Sequence, residues 1–150
     1  MAANNRIFLV FLVFLAIPAC ERGPRDTTEP SEPASPRATR SEVTQEGSFR
    51  VSYRPSPAPV PLNEYFELSL TVTPYEDGEP LPEDLEVGVD AAMPDHGHGM
   101  NVRPEVRALD HGSFEAEGML FHMPGYWELY VEIMADGVTE TAVFPVELEP

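Results

Sequence analysis

From residue 47 to the end of the chain, apolar side chains recur at every second position, in seven separate runs. A strand turns successive side chains to opposite faces, so this period demands strands with one buried face. "SFRVSYR" sets Phe49, Val51 and Tyr53 against Arg50, Ser52 and Arg54. "YFELSLTV" puts Phe66, Leu68, Leu70 and Val72 on one face, and "LEVGVDAAM" does the same with Leu85, Val87, Val89, Ala91 and Met93. "VRPEVRA" offers Val102, Val106 and Ala108; "SFEAEGML" offers Phe114, Ala116 and Leu120. "YWELYVEIM" sets Trp127, Leu129, Val131 and Ile133 against Tyr126, Glu128, Tyr130 and Glu132. "TAVFPVEL" offers Ala142, Phe144, Val146 and Leu148. Turn clusters such as "YEDGEPLPED", "DHGS" and "ADG" separate the runs, and no stretch of ten or more residues has helical spacing. About seven short alternating strands predict an all-β fold, an immunoglobulin-like antiparallel β-sandwich over 47–150. Trp127, facing inward, is expected to fill its core.

The first twenty residues follow another rule. After a polar start with one cation, Arg6, the eleven residues Ile7 to Ile17 are all apolar. That is short for a bilayer core of about 30 Å and fits the apolar region of a secretory signal peptide. "IPAC" follows directly and resembles the lipobox of bacterial lipoproteins. The resemblance implies cleavage after residue 19, a thioether-linked diacylglycerol on Cys20, and an acyl group such as palmitate on its new amine. Several acyl chains suffice for stable anchoring. Glu21 after the cysteine leans, by resemblance to enterobacterial sorting, towards the outer membrane. Cys20 is the only cysteine, so once lipidated it leaves neither a disulfide nor a free thiol. The alternative is an ordinary signal peptide with a chance cysteine at its end.

Residues 20–46 are polar and proline-bearing, with no aromatic residue and one β-branched aliphatic, Val43. Such a segment buries too little apolar surface to offset its ordering entropy. It is expected to be a disordered tether with a reach of about 30 Å, holding the domain away from a membrane. The chain carries a net charge of −17, and all nine of its basic residues are arginine. A surface this acidic repels nucleic acid and anionic lipid, and draws cations.

All four histidines fall between His96 and His122, with Met93, Met100, Met119 and Met123. "MPDHGHGM" carries His96 and His98, with Pro94 to end a strand and two glycines to bend the loop. "GMLFHMPG" carries Met119, His122 and Met123 just before the Trp127 strand. Two strands separate these segments, so both loops can share one end of a sandwich, with His111 at the other. Imidazole and thioether donors together suit copper, Cu(I) above all, better than hard cations. The candidate metal ligands are therefore His96, His98, His122, Met100, Met119 and Met123. The plainer readings are loop positions for His98 and Met100, core filling for Met93 and Met119, and a hydrogen-bonded corner for His122.

"AAMPDHGHGM" followed by "FEAEGMLFHMPGYWELYVEI" resembles the YtkA-like domain family, small extracytoplasmic β-sandwiches. The resemblance covers roughly 64–148 and rests on Met93, Pro94, His96, Phe121, Met123, Pro124, Gly125 and Trp127. The family is similar in turn to FixH-type proteins associated with copper-oxidase assembly. The resemblance implies a copper-handling role in the cell envelope, with oxidase-assembly factors as partners.

No G-x-S-x-G and no H-E-x-x-H is present, and once Cys20 is acylated no cysteine nucleophile is left, so no enzyme is expected. Two function classes remain. One is a monomeric, lipid-anchored envelope protein that binds copper. The other is a metal-free interaction or scaffold module.

Overall fold

The structure, a computed structural model, describes residues 39–150. The expected signal peptide, Cys20 and the expected tether up to residue 38 lie outside the described residues. Each predicted alternating run contributes a strand, although Leu85 and Val102 fall outside theirs and Ala108, expected to face inward, is exposed: β2 (Phe49–Ser56), β3 (Phe66–Pro74), β4 (Glu86–Met93), β6 (Glu105–Asp110), β7 (Ser113–Met119), β8 (Gly125–Ala135) and β9 (Val138–Leu148). Two more join them, β1 (Arg40–Val43) and the two-residue β5 (His98–Gly99). All pairings are antiparallel. One sheet has the order β1-β2-β3-β7-β6, the other β5-β4-β8-β9. The fold is the expected antiparallel sandwich, with nine strands among the described residues rather than about seven.

The alternation does what its period requires. In β3, Phe66, Leu68, Leu70 and Val72 are buried and the residues between them are exposed. In β8 and β9, Trp127, Leu129, Val131, Ile133, Ala142, Phe144, Val146 and Leu148 form the opposite wall. The Tyr53 ring meets that of Phe144 edge-on at 5.0 Å across the two layers.

Two expectations are corrected. Residues 40–46, assigned above to the tether, instead form β1 and the turn into β2. Arg40 Nη1 donates to the Pro145 carbonyl at 3.0 Å, and the Gln45 N–H donates to the Thr141 carbonyl at 2.9 Å. Backbone pairing with β2 and polar bonds to β9, rather than an apolar face, hold this segment, which is why hydrophobic periodicity misses it. In β7 the buried residue is Met119, not Leu120, which is half-buried. The β3–β7 register shifts between Phe66 and Leu68, and Gly118 adopts φ +81°, a conformation that glycine takes without strain. That irregularity reverses the parity of the strand's last two residues.

A buried carboxylate closes the end of the sandwich where β1 turns into β2. Glu140 accepts from Thr44 Oγ1 at 2.6 Å and from the Ser48 N–H at 3.2 Å. Burial works to raise its carboxyl, but these hydrogen bonds outweigh it and hold the group below the usual glutamate range.

Candidate metal-binding end of the sandwich

β4 ends at Met93, and the chain turns through one 3-10 turn, Pro94–His96. Proline suits the first position of such a turn because its fixed φ is helical and no N–H is needed there. Gly97 then takes a left-handed conformation (φ 68°, ψ 27°), and its N–H returns to the Met93 carbonyl at 3.0 Å. This reversal lets His98 and Gly99 pair back on Met93 and Ala92 as β5. His98 is thereby laid over the end of the sandwich, while His96 stays exposed at the turn.

The second segment arrives from β7. Residues 120–124 connect β7 to β8, with the Phe121 carbonyl accepting from the Asn63 N–H at 2.8 Å. Phe121 is buried and stacks on Trp127 at 4.8 Å between ring centroids. The Trp127 Nε1–H donates to the Met123 carbonyl at 3.0 Å, tying the connection to the core. His122 projects the other way, towards the first loop.

The result is a file of three imidazoles. His96 and His98 are 5.7 Å apart between centroids, and His98 and His122 are 5.5 Å apart. The indole edge lies beneath, 6.3 Å from the His98 ring and 5.5 Å from that of His122. His122 is half-buried, and its Nδ1 is buried without a hydrogen-bond partner. A buried polar atom left unpaired is costly, so a partner for this ring nitrogen would be favourable. The His98 Nδ1 lies 3.4 Å from the Gly99 carbonyl.

The thioethers divide. Met100 and Met123 are half-buried at the rim of the core, within the two segments that carry the histidines. Met119, paired with Phe66, is fully buried, and so is Met93, paired with His98; both are core residues and the set of surface donors narrows by one. His111 is exposed in the β6–β7 turn at the far end, where Val72 N–H bonds the Gly112 carbonyl. Among the described residues, no three His, Cys, Asp or Glu side chains converge as a formed metal site. The three imidazoles stand in a row rather than around one point.

Sequence reading treated Trp127 as packing alone; the structure makes it core and floor of the histidine file together. It also missed a network on the outer face of β8. Tyr126 Oη donates to Glu128 Oε1 at 3.2 Å and Tyr130 Oη to Glu128 Oε2 at 2.6 Å. The Glu128 hydrogen bond, then burial and neighbouring charge, push Tyr130 up to about 12. Burial first, then Glu128, Asp95 and Glu147, raise Tyr126. Asp95 belongs to the histidine loop, so a negative field reaches that loop from within and from the adjoining sheet. The Tyr-x-Glu-x-Tyr spacing, three outward positions in a row, was the signal available for this network.

No curated protein and no solved structure matches the chain. A family model described as YtkA-like matches residues 42–132. That stretch begins inside β1, takes in both histidine segments and runs into β8. With more than half of the chain matched, this protein belongs to the YtkA-like family.

Proposed function

We propose that this chain is a lipid-anchored envelope protein whose sandwich binds copper at its histidine end, in metal handling or oxidase maturation. The reading is of a binder, not an enzyme. The observation that carries it is the pairing of His98 with His122, 5.5 Å between centroids, with the buried His122 Nδ1 unpartnered. Metal–nitrogen bonds of about 2 Å put the centroids of two imidazoles on one ion about 5–6 Å apart. The half-buried Met100 and Met123 add soft donors beside them. This nitrogen and thioether set fits copper and offers little to calcium or magnesium. Bound copper would accept lone pairs from these side chains; Trp127 and Phe121 would keep water from the inner side of the ion.

Competition of the full chain against a Cu(I) chelator, and separately a Cu(II) chelator, tests the reading. The comparison protein carries His96→Ala and His98→Ala. The parent is expected to hold copper at least tenfold more tightly in one oxidation state. Equal affinity in both states would leave the loop a turn. The second reading is a metal-free interaction module of the envelope, in keeping with the row of imidazoles that does not converge on one point among the described residues; a chain that holds neither Cu(I) nor Cu(II) would favour it.

A further inference from the structure

The two long seams of the sandwich differ. β9 is an edge strand, yet its inward side chains Ala142, Phe144, Val146 and Leu148 are all buried. β1 lies beside it and stitches the layers through Arg40 to Pro145 and Gln45 to Thr141. The opposite seam, between β4 and β6, has no such strand. There Val87 and Val89 are only half-buried, although their β8 partners Ile133 and Val131 are fully buried. Leu85 and Val106 are likewise half-covered, and Leu109 is 53% exposed.

The backbone along this seam is also open. β5 covers only Ala92 and Met93, and the Ala91 carbonyl accepts from the Met100 N–H at 3.0 Å. From Glu86 to Asp90, β4 pairs with β8 alone, and β6 pairs with β7 alone throughout. By antiparallel alternation with Ala91, the amides and carbonyls of Val87 and Val89 point away from β8, into the gap. The rim is acidic: Glu86 and Asp90 on β4, Glu105 and Asp110 on β6, all exposed. The one cation on β6, Arg107, is held by Glu115 and Glu117 of β7.

We infer that this seam is a docking site for an extended segment of a partner protein, alternating apolar with cationic residues, added as a strand to β4. Its backbone pairs with Val87 and Val89. Its apolar side chains cover the half-buried aliphatics, and its cations meet Glu86 and Asp90 on the outer face. A self-association of two such acidic edges sets like charges opposite one another, which is unfavourable. The inference is independent of copper.

The test titrates the full chain into a fluorescent, end-blocked heptapeptide alternating lysine and valine, with anisotropy as readout. Binding is expected, weakening as salt rises. The same peptide with alternate amides N-methylated is expected to bind at least tenfold more weakly, as is the parent peptide to the Glu86→Lys/Asp90→Lys variant. Both changes in that variant are exposed, and its far-UV spectrum checks the fold. The variant is expected to take up a glutamate–valine heptapeptide that the parent chain refuses. Equal binding of the methylated peptide, no exchange of preference, or a salt-independent dimer of the chain blocked by Val89→Lys would overturn the proposal.

Discussion

The His122 ring lies 5.5 Å from the His98 ring and 5.5 Å from the Trp127 indole, so one histidine touches both the surface file and the core. Two strands, β6 and β7, separate His98 from His122 in the chain. They meet because β4 ends, and β8 begins, at the same end of one sheet. A ligand that moves His122 therefore acts on the only tryptophan of the protein.

Intrinsic fluorescence turns that contact into a measurement. Copper added to the full chain is expected to quench Trp127, and His122→Ala to abolish most of the quenching. His111→Ala, at the far end, should leave it unchanged. Quenching that survives His122→Ala together with His98→Ala would place the ion elsewhere. Imidazole must be unprotonated to ligate, so the effect should weaken in acid.

Trp127→Ala removes a fully buried indole that stacks on Phe121 and bonds the Met123 carbonyl. A loss of about 3–5 kcal/mol is expected in denaturant unfolding, the range for deleting a large buried aromatic. A variant as stable as the parent would contradict the packing described.

Glu140→Ala leaves the Ser48 amide without its acceptor and the Thr44 hydroxyl with only the longer bond to the Phe49 carbonyl, at 3.3 Å. Unpaired buried groups cost about 1–3 kcal/mol, and Glu140→Gln is expected to recover part of that. Because the folded carboxyl lies below its ordinary value, its contribution is present above that value and is lost as pH falls through the folded one. Acid unfolding of the parent should thus show a dependence that Glu140→Gln lacks.

Tyr130 makes the opposite case. Its folded value, about 12, exceeds the ordinary 10.0, so its contribution is whole below pH 10 and disappears as pH rises towards 12. Phenolate absorbance should show a late-titrating tyrosine, missing in Tyr130→Phe. Glu128→Gln, which removes the charge both phenols bond, should bring the late titration down.

Lipidation is tested by labelled palmitate in a bacterial host. The full-length chain should take up label and partition into detergent, and Cys20→Ala should do neither. Soluble wild-type protein with a free thiol at residue 20 would refute the anchor.

The strands that could be read from residues were those whose burial has period 2. Phe66 to Val72 and Trp127 to Ile133 could fold no other way without exposing an apolar face. β1 carries no such pattern, and β5 is two residues long, so nothing local announces either. The Met119 parity was hidden as well, because one glycine in a left-handed conformation reverses alternation without changing composition.

The six candidate ligands separate along the same line. Residue chemistry alone put His96, His98, His122 and the methionines in two segments fit for a soft metal, and hairpin counting allowed those segments one end. Which donors reach the surface is set by register: Met119 faces Phe66 and is consumed by the core, while Met100 and Met123 remain at the rim. Periodicity in the sequence determines which face of a strand is buried, because burial is local and the strand repeat is two. The neighbours of a buried edge, the open β4–β6 seam and the 5.5 Å between His98 and His122 depend on contacts between residues far apart in the chain. Only the closed sandwich decides those.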